Sequence, residues 1–327
     1  MHNGTGFKKT TEKHWRNSVE KLLKGKSLET LYSTSEEELL LKPLYFEADR
    51  QNFFLNGMPQ NWSVAQTLFC SNRDFNKKAR DVLKLGQNAL NLNLNTSSQL
   101  DRRYPRTEHS IQLDEYSEFS KLFSKIDLTG VGLFFNGTNT AHKIFSWCLQ
   151  WCYEKNSDPV ALNISLGGDP VSAALIYGGF NEPWQDTFAK LNGILKNADQ
   201  YPSIDVLSIQ TDLIHNSGGN KTQQLVYALG LITAYVNQLS EQGIDPTKAL
   251  SSIRIKMAVG NDQFLEIAKL RAMRLLWDNI CAAYAVRDIH LKIDALTSWR
   301  WLANRDIYNN MLRATVQAFS AVAGGCD

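Results

Sequence analysis

IRIKMAVGNDQFLEIAKLRAMRLLWDNICAAYAVRDIHLKIDALTS, residues 253–298, reads as strand, helix, strand. The runs 253–259 and 289–298 are short and β-rich, while residues 263–284 repeat apolar positions at three- and four-residue steps. The same alternation recurs upstream in WSVAQTLF (62–69), ALNLNLN (89–95), VGLFFNG (131–137), VALNISLG (160–167) and DVLSIQTD (205–212), with a helical pattern over 221–241. Short strands alternating with longer helices predict parallel βαβ units rather than a sandwich or a bundle. A last helix over 307–322 runs into Gly324 and Gly325, which read as a helix stop. The expected fold is therefore α/β, a TIM-type (β/α)8 barrel truncated before its eighth strand, which would begin just after Gly325. Residues 61–327 carry the barrel. Residues 1–60 lack the alternation, holding a helical stretch (14–23) and a polar segment with Pro43 and Pro59, and read as an N-terminal extended arm.

Several strands alternate polar and apolar residues, although parallel sheets covered by helices usually read as continuous apolar runs. In 89–95, Leu90, Leu92 and Leu94 share one face and Asn91, Asn93 and Asn95 the other. Asn163 with Ser165, Ser208 with Gln210, Arg254 with Lys256, and Lys292 with Asp294 repeat the pattern. With the leucines toward the helices, a polar lumen follows. Two readings stay open: a filled lumen in which Lys256 or Arg254 pairs with Asp294, because unpaired buried charge is costly, or a channel for a polar ligand.

Composition narrows the function classes. Hydrophobic residues make up 43% of the 327, enough for one large core, and 35 basic against 33 acidic residues leave a net charge of +2. No basic run marks a nucleic-acid footprint, no apolar stretch reaches membrane-spanning length, and the N-terminal residues 1–15 carry no apolar signal-peptide segment. Cytoplasmic localisation is expected. Cys70, Cys148, Cys152, Cys281 and Cys326 are odd in number and scattered, which suits reduced thiols; Cys148 and Cys152 share a helix face and read as core. The Gly-bearing segments 167–169 (GGD) and 217–219 (SGG) read as turns rather than phosphate loops.

Two segments carry a family resemblance: NDQFLEIAKLRAMRLLWDNI (261–280) and RDIYNNMLRATVQAFSAVAGG (305–325). They resemble the acyl-CoA mutases of the methylmalonyl-CoA mutase family, in which a strand-ending Asn-Asp precedes a helix with Glu, Lys, Arg, Arg and Trp. Here those are Asn261, Asp262, Glu266, Lys269, Arg271, Arg274 and Trp277, followed by Thr297, Ser298, Tyr308, Asn309, Asn310 and Arg313. Fainter likeness extends through Pro43 to Tyr45 and through Trp15, Val19, Leu22 and Gly25.

The resemblance implies a radical isomerisation of CoA esters that uses adenosylcobalamin, with hydrogen-bond donors at the thioester. Where catalytic chains carry a tyrosine at the end of the first strand, this sequence has Thr67; where they carry a histidine after the fifth, it has Leu213, preceded by Asp212. His215 lies two residues on, which on a strand keeps the face but changes depth by ~7 Å. Arg254, Lys256 and Asp294 replace smaller or aromatic residues and a histidine, and would obstruct an axial pantetheine channel, so CoA-ester binding is not expected of this chain. The cobalamin motif Asp-x-His-x-x-Gly does not occur in the sequence. The resemblance thus implies the small, non-catalytic subunit, with no cofactor bound by this chain, adenosylcobalamin in the partner, and a heterodimer with the catalytic large subunit. Trp15, Val19, Leu22, Pro43 and Tyr45 are the expected interface. The alternative is a free-standing acyl-CoA-binding barrel, or an isomerase with a relocated site at Asp212, His215 and Asp262.

Overall fold

The computed structural model describes residues 10–49, 58–59, 61–94, 111–136, 140–180, 182–197 and 200–327; Asn95 lies outside them. The chain forms two compact units, Met1–Phe54 and Leu55–Asp327. In the first, the helix Glu12–Leu23 starts at Thr11, whose hydroxyl accepts the His14 N–H, and none of its residues is buried. Trp15 meets Phe46 edge to face at 5.9 Å, and the two-residue strands Ser33–Thr34 and Leu40–Leu41 pair antiparallel.

The second unit is built on one parallel sheet. Its strands are β1 (Ala65–Leu68), β2 (Ala89–Asn93), β3 (Gly132–Asn136), β4 (Asn163–Gly168), β5 (Ile204–Gln210), β6 (Ile253–Val259) and β7 (Lys292–Thr297), hydrogen-bonded in chain order. Crossovers run through α1 (Asn72–Lys84), α2 (Tyr116–Leu122), α3 (Ala141–Lys155), α4 (Pro170–Tyr177), α5 (Trp184–Asn197), α6 (Asp212–Asn216), α7 (Lys221–Glu241), α8 (Pro246–Ser251) and α9 (Gln263–Ala283); α10 (Asn309–Gly324) follows β7. One continuous core joins the sheet to these helices: Leu90 and Leu92 of β2, Ile255 of β6 and Ile293 of β7 are fully buried, with Phe75, Ile144, Phe188, Ile232 and Met273 from the helices. Each such leucine or isoleucine contributes about 1.5–3 kcal/mol by burial. Cys148 and Cys152 belong to this core as free thiols, and burial pushes the Cys152 thiol up to about 11.

The sheet is curled. In a flat sheet β3 and β6, two strands apart from being neighbours, would lie about 14 Å apart. Instead Lys256 of β6 donates to Asn136 Oδ1 of β3 at 2.9 Å, and the Arg254 guanidinium sits 4.8 Å from the Phe134 ring centre. The two edges also approach: the Asp327 N–H donates to Ile293 O (2.9 Å), and Asp327 O accepts the Ser63 N–H (2.8 Å). Gly325, at φ 87°, ends α10 in a left-handed cap and turns the chain into that position.

Several boundaries differ from the sequence reading. The run 160–167 begins with a 3-10 turn, Pro159–Ala161, capped by Asp158, so β4 starts at Asn163. Gly167 and Gly168 end β4 instead of forming a turn. A Cβ on Gly168 would stand 2.5 Å from Val206 O, so this strand can lie against β5 only without a side chain there. The run 205–212 ends as a strand at Gln210; Asp212 already belongs to α6.

Candidate functional site

The polar residues of the strands fall into three layers. In the first, Arg254 is 5% exposed and bridges two carboxylates: Nε to Asp205 Oδ2 at 2.8 Å and Nη1 to Asp294 Oδ1 at 2.5 Å. Lys292 Nζ reaches Asp205 Oδ1 at 2.5 Å. Burial alone would lower the pKa of Arg254, but Asp294 and Asp205 outweigh it and hold the guanidinium above its ordinary value. Asp205 does not follow the alternation of β5. Counting by twos from Gln210 and Ser208 places it on the helix side, yet its carboxylate reaches Arg254 and Lys292; beside it the register of β4 and β5 shifts between Ser165 and Gly168, with the extra residue on β4. The only signal in the sequence is its charge within an otherwise apolar strand start.

The second layer is thinner. Lys256 is 7% exposed and donates to the Asn136 amide oxygen; no carboxylate pairs with it among the described residues. Asn91 Nδ2 donates to Thr67 Oγ1 at 3.0 Å, leaving Asn91 Oδ1 without a partner. Ser165 Oγ and Gln210 Nε2 are likewise buried and unpartnered. A cavity of about 80 Å³ opens beside Lys256 and Asn91, with Ser63, Phe134, Asp294 and Asp327 in its walls.

The third layer closes the ends of β5, β6 and β7. The Thr211 hydroxyl donates to Lys256 O at 2.9 Å, His215 Nε2 lies 2.6 Å from Ser298 Oγ, and Gln224 Nε2 faces His215 Nδ1 at 3.5 Å. Gln317 Oε1 accepts the Ser298 N–H (3.0 Å), and its Nε2 donates to Asn261 Oδ1 (2.7 Å). His215 does not lie on a strand, contrary to the depth expected from the sequence. Asp212, Leu213 and His215 lie on one helical turn, so the spacing from 213 to 215 rotates the side chain around the helix and does not carry it along a strand. His215 is 4% exposed, and burial, with Lys269, Arg300 and Lys221 nearby, lowers its pKa to about 4. It is therefore a neutral imidazole at pH 7, joined to a Ser298 that is fully buried. Asp212 is 7% exposed with one carboxylate oxygen unpartnered, and Leu213 is half-buried. Asp262 is exposed and caps α9 through the Leu265 N–H at 3.4 Å. The structure thus unites His215 with Ser298 and Gln224, and leaves Asp262 on the surface.

In the first unit, Leu22 is 79% and Tyr45 57% exposed, Pro43 is exposed, and Trp15 and Val19 are half-buried. The segments that carried the family resemblance are occupied in joining elements. Arg274 donates to Leu291 O (2.8 Å) and Gly325 O (3.2 Å), Trp277 Nε1 to Ile289 O (2.9 Å), and Arg271 to Ala323 O (3.0 Å). Lys269 pairs with Glu266 at 2.5 Å, and Asn310 both donates to and accepts from the Ala303 backbone. These residues tie α9 and α10 to β7 and the loop after it.

The family model described as methylmalonyl-CoA mutase matches residues 52–327. The chain belongs to the methylmalonyl-CoA mutase family. Within the methylmalonyl-CoA mutase family, it is 27% identical to the methylmalonyl-CoA mutase small subunit of Propionibacterium freudenreichii subsp. shermanii, over 98% of this chain and 52% of that protein. The small subunit of Porphyromonas gingivalis is 28% identical over 83% of this chain and 42% of its own length. The methylmalonyl-CoA mutase large subunit of Streptomyces virginiae is 24% identical over 95% and 46%. The chain spans about half the length of these curated relatives. Among its described residues, no helix is long and apolar enough to cross a membrane.

Proposed function

We propose that this chain is the barrel portion of a non-catalytic small subunit of an adenosylcobalamin-dependent methylmalonyl-CoA mutase, working in the cytoplasm as a heterodimer with a catalytic large subunit. The observation that carries this reading is the state of the strand ends where the resemblance places the reactive donors. Thr67 is hydrogen-bonded to Asn91, Leu213 has no polar atom, and Arg254, Asp205 and Asp294 cross the lumen where a pantetheine arm would pass. The likeness to proteins named as small subunits supports the same assignment.

The residues here do not fit a corrin. The nearest approach to the cobalamin motif is Asp288, Ile289, His290, but Ile293 stands where the motif has glycine, and His290 Nε2 is held by Asp327 Oδ1 at 2.5 Å. In this proposal cobalt–carbon chemistry is assigned to the large subunit. This chain contributes a second barrel and the surface around Trp15, Val19, Leu22, Pro43 and Tyr45.

The test mixes the purified chain with a catalytic large subunit and adenosylcobalamin. The expected result is a 1:1 complex, with isomerisation of methylmalonyl-CoA only when the large subunit is present. Turnover by this chain alone, or failure to associate, would overturn the proposal; saturable binding of a CoA ester in the lumen would favour the free-standing acyl-CoA barrel instead.

A further inference from the structure

Helix α10 is packed inside out. It buries Gln317, Ser320, Ala321 and Gly324, and leaves Tyr308, Met311, Leu312, Val316 and Phe319 exposed by 78%, 69%, 68%, 36% and 59%. A surface helix ordinarily does the reverse. At about 100° per residue, these five positions and Thr315 form one face about 140° wide, centred opposite the buried side. Packing within the ring of helices does not account for it. α9 lies on the flank of Ala323 and Gly324, where Arg271 donates to Ala323 O and Leu270 leaves no room for a Cβ on Gly324. The other flank is Ala314 and Ala318, whose short side chains admit a helix alongside. The apolar face points away from both flanks and from the sheet.

We infer that this face docks on the same face of a second copy of the chain, as an antiparallel helix pair about a two-fold axis. Its spacing is palindromic. Positions 308 and 319, 311 and 316, and 312 and 315 are symmetric about the midpoint between Arg313 and Ala314. One rotation therefore sets Tyr308 on Phe319 of the other copy, Met311 on Val316 and Leu312 on Thr315. Large residues meet smaller ones in the inner pairs, and an aromatic pair closes each end. The face is also neutral. Arg313 is the one charged residue in 307–325; it is half-buried, and its Nη1 donates to Asn310 Oδ1 at 3.1 Å. Two like-charged faces would repel, and these do not. Two aromatic side chains of about 150–250 Å² each, with Met311, Leu312 and Val316 between them, form the apolar centre that an interface of roughly 800 Å² per partner requires. This pairing stands apart from the subunit assignment, which uses the strand ends and the first unit.

Sedimentation equilibrium of the full chain across a wide concentration range tests it. The expected result is reversible association of the 37.0 kDa chain into a closed dimer, with no larger species. Leu312→Glu should weaken association by about 100-fold, because each copy then buries a carboxylate against Thr315 of the other. Thr315→Lys should weaken it as well. Mixed in equal amounts, the two variants should bind each other more tightly than either binds itself, since the antiparallel register sets the new carboxylate beside the new ammonium. Both positions are exposed, and circular dichroism checks that the variants stay folded. A chain that stays monomeric at every concentration, one that grows past the dimer, or a dimer indifferent to Leu312→Glu would overturn the inference. Mixed variants that fail to bind each other would overturn it too.

Discussion

Asp205 is the residue on which two lumen cations converge, and the structure makes its removal informative. Asp205→Asn leaves Arg254 and Lys292 sharing Asp294 alone, and stability should fall by about 3–5 kcal/mol in urea denaturation at pH 7. Asp294→Asn should cost less, because that carboxylate is 24% exposed and water replaces part of what it loses. A second residue-scale prediction concerns His215. A histidine in the unfolded chain titrates near 6.5 and His215 near 4, so between those values the unfolded state binds more protons. The stability it confers is present above about pH 6.5 and is lost as the pH falls toward 4, by an amount on the order of 2 kcal/mol. Denaturation midpoints measured from pH 7 to 4.5 should fall more steeply for the native chain than for His215→Gln. At this scale the sequence was only partly legible. Arg254, Lys256 and Asp294 announced themselves as charges in apolar strands, but pairing depends on which cation has the reach and geometry, and Asp205 lies on the face opposite to the one a count by twos along β5 assigns it.

At the scale of elements, periodicity located the helices closely where amphipathic patterns are long. The reading of 221–241 coincides with α7, whose start is marked by a reciprocal cap: Asn220 Oδ1 accepts the Gln223 N–H and Gln223 Oε1 the Asn220 N–H. The misplaced boundary after β5 has a different origin. Thr211 and Asp212 are compatible with a strand by local pattern, and the switch to helix is set by tertiary bonds such as that from Thr211 to Lys256 O. The glycines at the end of β4 illustrate the same limit, since a turn and a close strand contact call for the same residue. Gly168→Ala should therefore lower stability by about 1–3 kcal/mol through collision with Val206 O, whereas Gly193→Ala inside α5, with nothing within 4 Å of the added methyl, should raise it by about 0.5–1 kcal/mol. Thermal midpoints of the two variants, measured side by side, check both signs.

At the scale of the molecule, the seven parallel strands were readable because short β-rich runs alternate with helical patterns such as 221–241 and 263–284, and their curl was not, because curvature arises from contacts three strands apart. The same division explains the site. That Thr67 and Leu213 lack the chemistry of the family's catalytic chains is visible in the letters alone; that the polar residues above them form a closed junction around Ser298 required the fold. The recognisable segments 261–280 and 305–325 proved to be the joinery of α9, α10 and β7, so the family likeness follows the scaffold more than any reacting group. The approach of β1 and β7 has a further consequence for how copies of the chain meet. Two bonds to the Asp327 backbone place these edges one strand's width from a common stave, roughly 10 Å apart, rather than on opposite flanks of an open sheet. An open sheet offers each edge to solution as a template for indefinite growth. Here one strand entering the seam lengthwise would meet both edges at once, so the geometry favours a single added strand between β1 and β7 over stepwise growth at either edge.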